Sequence, residues 1–95
     1  MMNHPNVVLT NHAIVRAQQR GVGIGAVRLV AIHGHRDRAK NGNVIRTMRS
    51  KEICRLLHRK IQSAAFVERA RGVQIVTNEA DDEIVVVTVN GKMNR

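Results

Sequence analysis

The chain has almost no aromatic residues: among its 95 residues there is no Trp, no Tyr and one Phe, Phe66. Proteins that read single-stranded nucleic acid usually stack bases on several exposed rings, so this chain cannot build such a surface. Its single cysteine, Cys54, excludes an internal disulfide framework and favours a reducing compartment. It also lacks an apolar run of membrane-spanning length and a recognisable secretory signal. These absences predict a cytoplasmic protein that does not associate with membranes.

Acidic residues are also scarce, and this imbalance is the strongest compositional feature. Sixteen Lys and Arg stand against seven Asp and Glu, which gives a formal net charge of +9. Residues 1–50 hold half of the basic residues and one acid, Asp37, whereas the segment "EADDE" holds four acids. A surface of this sign attracts phosphate polymers, and the backbone of RNA or DNA is the commonest such partner. A merely solubilising surface is the alternative.

Two successive helices are predicted in the N-terminal half. Thr10 can cap the first, over residues 11–20, and Gly21 can end it. The second is expected over residues 24–32 and stops at Gly34, so that the two form a helical hairpin joined by "GVG". Residues 1–8 precede it as a flexible lead-in. The positions expected to be buried are Ala13, Ile14, Ala17, Ile24, Val27, Val30 and Ala31.

The remaining chain predicts an antiparallel sheet of about four strands with a third helix packed on it. Asn41-Gly42 favours a two-residue type I′ turn between two edge strands with one basic face. Ser50 can cap the third helix, which continues or restarts as far as Gly72. The segment "IVVVTV" should be a central strand, and Val86 should be buried. The expected apolar face of the third helix is Ile53, Leu56, Leu57, Ile61, Ala64 and Ala65. The result is one α+β domain over residues 1–95, in the order α-α-β-β-α-β-β.

A stripe of His12, Arg16 and Arg20 is the principal candidate site, because residues four apart lie on one face of a helix. Metal-independent RNA cleavage needs a base, an acid and cations that stabilise the charge of the transition state. The stripe supplies one histidine, the residue type that commonly acts as a general acid or base, and two cations. The structural alternative is that His12 bonds to backbone while the arginine stems lie over the sheet. Candidates for the second proton-transfer group are His33, His35 and His58.

The predicted contacts to nucleic-acid phosphates extend from this stripe into the basic hairpin. Each of these side chains carries a charge that can neutralise a phosphate. The predicted set is Arg16, Arg20, Arg28, Arg36, Arg38, Lys40, Arg46 and Arg49.

No metal or other cofactor is predicted. His33 and His35 with Cys54 and His58 would supply four zinc ligands, but their spacing matches no known zinc motif. The acids of "EADDE" lack the alternating spacing of a calcium loop, so they are expected to form a solvated turn. The glycine-rich "GVGIG" follows a helix and lacks the lysine of a phosphate loop, which predicts a simple turn.

The segment "TNHAIVRAQQRGV", the basic hairpin and the late "VVVTV" resemble a large bacterial family of unknown function. That family is similar to the BrnT, RelE and ParE toxin domains, several of which are ribonucleases. The chain departs from it at "GVGIGAV", where Ser or Pro and acidic residues are usual, and at the late tyrosine, which is absent. Val22 replaces the usual Ile. The matching residues are His12, Ala13, Arg16, Arg20, Gly21, Thr88 and Val89.

This resemblance implies a toxin-like α+β fold. If the chain is an enzyme, it implies a RelE- or BrnT-like ribonuclease with His12, Arg16 and Arg20 as catalytic residues. The sequence as a whole therefore predicts a small basic nucleic-acid-binding domain, either a metal-independent ribonuclease or an inactive descendant. The alternative is a non-enzymatic module that binds an acidic protein, such as a cognate antitoxin.

Overall fold

The strands form one five-stranded mixed sheet in the computed structural model of the chain, which describes residues 5–60 and 62–93. Its neighbours pair in the order β1-β5-β4-β3-β2. All pairs are antiparallel except β1 with β5, which is parallel. The strands are β1 (Asn6–Leu9), β2 (His35–Arg38), β3 (Val44–Thr47), β4 (Val73–Glu79) and β5 (Glu83–Lys92).

The helices are α1 (Asn11–Gln19), α2 (Ile24–His33), α3 (Ser50–Arg59) and α4 (Ala64–Arg69). α1 and α2 pack against the middle of this sheet, whereas the third helix, predicted to pack on the sheet, packs mainly against α4. α1 packs on β5 and α2 on β4, while α3 and α4 connect β3 to β4 and α4 also packs on α2. The α+β class and the N-terminal helical hairpin are confirmed. No helix in the described part of the chain is long and apolar enough to span a membrane.

Local capping signals determine where the helices begin and end. Thr10 caps α1 as predicted, since its Oγ1 accepts from the Ala13 N–H at 3.0 Å. The prediction for α3 was one residue off: Arg49 is its N-cap, and the Glu52 carboxylate accepts the Arg49 N–H at 3.1 Å. α3 then stops at Lys60, which has a left-handed φ of 55°. The chain restarts as α4, which is the second of the two predicted alternatives, and α4 ends at Arg69.

The basic hairpin of β2 and β3 forms one edge of the sheet, as predicted. Asn41 and Gly42 both have positive φ, 62° and 75°, which is the conformation that the Asn-Gly pair favours. The loop is wider than a two-residue turn, because a short 3₁₀ turn spans Lys40–Gly42. The Ala39 N–H donates to the Asn43 carbonyl at 3.0 Å and closes it.

The fifth strand, β1, is a correction to the predicted four-stranded antiparallel sheet and to the lead-in assigned to residues 1–8. Residues 6–9 pair with β5 from Asn6 opposite Glu83 to Leu9 opposite Val86. Residues 1–4 lie outside the described residues. Because its partner strand lies more than seventy residues away, no local signal distinguishes this four-residue strand from a tail.

The core lies between the helices and the inner face of the sheet. Ile53, Leu56 and Val86 are buried as predicted, and β5 is an inner strand. The prediction was wrong for Ile14 and Ile24, which are each 38% exposed, and Leu57 is only partly buried. Ala64 and Ala65 are exposed, and the side chain of Ile61 lies outside the described residues. The largest fully buried side chains are Met48, Ile53, Leu56, Ile75, Val27, Val30, Val67, Val73, Val86, Val89 and Thr77.

Candidate nucleic-acid interface

The stripe of His12, Arg16 and Arg20 lies along α1 and ends at the C-cap of this helix. Arg20 is the capping residue, and its backbone N–H donates to the Arg16 carbonyl at 2.9 Å. The buried side of α1, Ala13 and Ala17, packs on the sheet. The helix therefore keeps the predicted four-residue spacing. The exposure is uneven, because His12 and Arg20 are exposed and Arg16 is half-buried.

Each side chain of the stripe has a different environment. His12 makes no side-chain hydrogen bond within the described residues, so the backbone bond of the structural alternative is not present there. Arg16 Nη1 donates to Gln19 Oε1 at 3.4 Å, and its Nε is buried without a partner. The stem of Arg20 lies over Gly91 of β5, where a methyl group added to the glycine would be 3.4 Å from Arg20 Cδ. This packing leaves the Arg20 guanidinium without a protein partner in the described part of the chain.

Arg46 belongs to a buried ion pair of the hairpin. Its Nε and Nη2 donate to the two carboxylate oxygens of Glu79 at 2.8 and 3.1 Å, and its Nη1 donates to the Gly34 carbonyl at 2.7 Å. Arg36 lies opposite Arg46 and also pairs with Glu79, at 3.2 Å. Thr77 Oγ1 donates to the same carboxylate at 2.7 Å. With 11% of its side chain exposed, Arg46 holds β3 to β4 and is not offered to a ligand.

The Glu79 carboxylate stays ionised because of these partners. Burial raises its pKa, but the hydrogen bonds from Arg46 and Thr77 and the nearby charges of Arg46 and Arg36 outweigh burial. The net result is a pKa below the ordinary value for Glu. Arg36 remains 60% exposed, so part of its guanidinium still faces solvent.

Of the other predicted phosphate contacts, two side chains are bound to protein partners and two are not, among the described residues. Arg28 Nη1 donates to the Val7 carbonyl at 3.0 Å and ties α2 to β1. Arg49 Nη2 pairs with Glu52 at 2.8 Å, although 42% of the Arg49 side chain is exposed. Arg38 and Lys40 are exposed and have no hydrogen-bond or acidic partner among the described residues.

Within the described residues, unpaired acids lie at one end of β5 and unpaired cations at the other, although the hairpin tip with Arg38 and Lys40 lies at the acidic end. The described acids outside the β4–β5 turn all have basic or histidine partners: Asp37, Glu52, Glu68 and Glu79. Asp81, Asp82 and Glu83, which have no ion-pair partner among the residues that the structure describes, lie at that turn. At the far end of β5, four cations have no acidic partner within the described residues: Arg20, Lys51, Arg69 and Lys92.

Three of these four cations were missed by the sequence reasoning. Lys51 lies in the first turn of α3, Arg69 ends α4 and Lys92 ends β5, so the three are far apart along the chain. No sequence motif links these three residues. The fold, rather than any local motif, brings the cations to one end.

The predicted metal and proton-transfer candidates remain dispersed. His35 Nε2 lies 3.3 Å from Asp37 Oδ1 on β2, while Cys54 and His58 are exposed on α3. Nowhere in residues 5–60 and 62–93 do three His, Cys, Asp or Glu side chains converge as metal ligands would. The stripe packs over β5, three strand spacings or about 14 Å from β2. His12 and His35 therefore do not form one acid–base pair.

Comparison of the chain with protein-family models, with curated proteins and with solved structures finds no match.

Proposed function

We propose that this protein binds RNA or DNA through the phosphate backbone, as a toxin-like domain without cleavage activity. The observation that carries this proposal is the segregation of charge. Among the described residues, the acids outside the β4–β5 turn have basic or histidine partners, and the cations around the far end of β5, Arg20, Lys51, Arg69 and Lys92, have no acidic partner. Arg38 and Lys40 are also unpaired, but they lie near the acidic turn. The positive electrostatic potential of the cations around the far end of β5 attracts a phosphate polymer and orients it toward this end of the molecule.

The composition indicates backbone contacts in preference to base reading. Phosphate contacts need cations with free donors, which Arg20, Lys51, Arg69 and Lys92 supply. Sequence-specific reading of single strands needs several stacking rings, and the chain has one. We therefore expect strong salt dependence and weak sequence preference.

Binding without cleavage follows from the histidines. A metal-independent ribonuclease needs one group that takes a proton from the 2′-hydroxyl and another that gives a proton to the leaving oxygen. Both groups must lie within hydrogen-bond reach of those oxygens. The stripe supplies one such group, His12 on α1, whereas the His35–Asp37 pair lies on β2. The other two candidates, His33 and His58, lie at the end of α2 and on α3. The expected outcome of incubation with RNA is therefore an intact strand, and metal-independent cleavage that is lost in His12→Ala would refute this part of the proposal.

Fluorescence anisotropy with labelled single-stranded RNA and DNA tests the binding. Arg20→Gln with Lys51→Gln removes two cations from the basic end, and Arg38→Gln with Lys40→Gln removes two from the hairpin. Both double variants have the same net charge. We expect the first to weaken binding several-fold more than the second. Equal effects would mean that only net charge matters, and no binding at low salt would refute the proposal.

Binding of a protein partner is a second candidate function, and an apolar patch at the β1 edge of the sheet favours it. The large hydrophobic side chains exposed there are Val8, Ile14, Val15 and Ile24. Val8, Ile14 and Ile24 line a groove of about 380 Å³ beside the exposed Arg28. Contiguous exposed apolar surface is typical of protein interfaces. Co-expression with the product of the neighbouring gene tests this: Ile14→Ser should abolish the complex and leave RNA affinity unchanged.

A further inference from the structure

A cleft opens between the first turn of α2, helix α4 and the end of β5. Its volume is about 250 Å³. Backbone of the "GVGIG" segment forms one wall, and side chains from α4 and β5 form the other. The lining residues are Gly21, Val22, Gly23, Gly25, Ala26, Phe66, Arg69 and Lys92. This cleft lies at the basic end of the sheet, beyond the stripe.

The charge of the cleft has one sign. Arg69 and Lys92 line it, neither has a hydrogen-bond or acidic partner within the described residues, and no acid is part of the lining. Arg20 is close by, since its stem lies over Gly91, the neighbour of Lys92 in the chain. Unpaired cations of this kind in a concave site are suited to a phosphate group.

The single aromatic ring of the protein lines the same cleft. Phe66 is half-buried, and its ring faces Gly25 so closely that a methyl group on this glycine would be 2.9 Å from Phe66 Cε1. Gly25 therefore leaves space for the ring at this position. A nucleotide has an anionic phosphate and a flat apolar base, and the cleft presents cations and one ring to match both.

The glycine-rich wall permits close approach of a ligand. Side chains added at Gly21 or Gly23 would meet no other atom within 4 Å, so the space in front of them is open. Gly23 is the N-cap of α2 and provides no side-chain cap, and the first turn contains no acid. The backbone N–H groups of this turn thus have no side-chain acceptor that a phosphate oxygen would have to displace.

We propose that this cleft holds one nucleotide of a bound single strand, with its base against Phe66 and a phosphate between Arg69 and Lys92. The inference rests on the proposed function, because it names the part of a nucleic acid that the basic end receives. The interface would then contain a base-stacking position as well as cations. One position along the strand contacts a ring, and the remaining positions contact cations alone.

Two polyanions separate the role of the ring from the role of charge. Oligoadenylate carries phosphates and bases, whereas inorganic polyphosphate carries phosphates alone. We expect Phe66→Leu, which keeps an apolar side chain against the core, to weaken oligoadenylate binding about tenfold and to leave polyphosphate binding unchanged. Deoxyoligoadenylate should behave like the ribose form, since Phe66 would contact the base and Arg69 and Lys92 the phosphate, and none of them would contact the 2′-hydroxyl.

The cations and the glycine give two further variants. Arg69→Gln with Lys92→Gln should weaken the binding of both polyanions more than the charge-matched Arg38→Gln with Lys40→Gln. Gly25→Ala should displace the ring and imitate Phe66→Leu, which keeps the test available if Phe66→Leu does not fold. Titration with adenosine monophosphate should shift the NMR signals of the Gly21, Gly23 and Gly25 amides more than inorganic phosphate does.

The outcomes distinguish this inference from the proposed function. If RNA binds with strong salt dependence but both Phe66→Leu and Gly25→Ala bind it like the wild type, the cleft is not a nucleotide site and backbone binding stands. Equal weakening of oligoadenylate and polyphosphate by Phe66→Leu would also overturn the base contact. If the wild type binds neither polyanion at low salt, both proposals fail.

Discussion

Replacing Arg46 by Met tests whether this arginine stabilises the fold or binds a ligand. The change leaves the Gly34 carbonyl without its side-chain donor at 2.7 Å, which costs about 1 to 3 kcal/mol. It also removes two hydrogen bonds from the buried Glu79 carboxylate. Removing one partner of a buried ion pair costs about 3 to 5 kcal/mol, but Arg36 and Thr77 still contact Glu79. We therefore expect a loss of about 3 kcal/mol in the free energy of unfolding.

A loss of this size is large for a small domain. A domain of this length loses about 4–8 °C of melting temperature per kcal/mol, so Arg46→Met should melt roughly 15 °C lower. Far-UV circular dichroism is the appropriate readout, because the chain has no Trp or Tyr for intrinsic fluorescence. RNA affinity, measured where the variant is still folded, should change less than twofold.

Arg38→Met is the matched control for this experiment. Arg38 lies on the same strand as Arg36, and it is exposed and unpaired in the described part of the structure. Its replacement should change stability by no more than about 0.5 kcal/mol. An Arg46→Met protein that melts like the wild type but binds RNA several-fold more weakly would refute the structural role assigned to Arg46.

The remaining predictions concern a pH response, the core and the stripe. The hydrogen bond from Arg49 lowers the pKa of Glu52 to about 2. The ionised Glu52 carboxylate should therefore stabilise the fold by about 3 kcal/mol at most, fully above roughly pH 5 and not at all toward pH 2. Glu52→Gln should flatten this part of the stability–pH curve. Leu56→Ala should cost about 2 to 5 kcal/mol in urea unfolding, and the half-buried Leu57→Ala clearly less. His12→Ala should leave the melting temperature unchanged, whereas Arg16→Ala should lower it measurably, because its stem is half-buried.

The parts of the fold that the sequence predicted correctly are those with local causes. The cap of α1 depends on Thr10 and an N–H three residues later. The hairpin depends on two adjacent residues, Asn41 and Gly42, which take the positive φ that their chemistry permits. The run "IVVVTV", β-branched and nearly apolar on both faces, predicted β5 as a central strand without reference to any particular partner strand.

The features that the sequence did not predict depend on distant partners. β1 is a strand because β5, far along the chain, pairs with it. Arg46 looked like the other hairpin arginines, and its burial follows from Glu79, which lies 33 residues away. The cleft combines the turn before α2 with α4 and the end of β5. No periodicity or motif in one segment reports such a combination, so its cations and ring could be grouped only by the fold.

The salt dependence of single-stranded RNA binding tests the central claim most directly. Each phosphate contacted on a single strand contributes about −0.7 to the slope of log K against log salt concentration. Arg20, Lys51, Arg69 and Lys92, together with one or two further contacts from Arg16 or the hairpin, predict a slope of roughly −3.5 to −4. Arg69→Gln with Lys92→Gln should reduce the magnitude of this slope by about one to one and a half. A flat salt response, or a slope that the double variant leaves unchanged, would contradict the assignment of the basic end as the nucleic-acid interface.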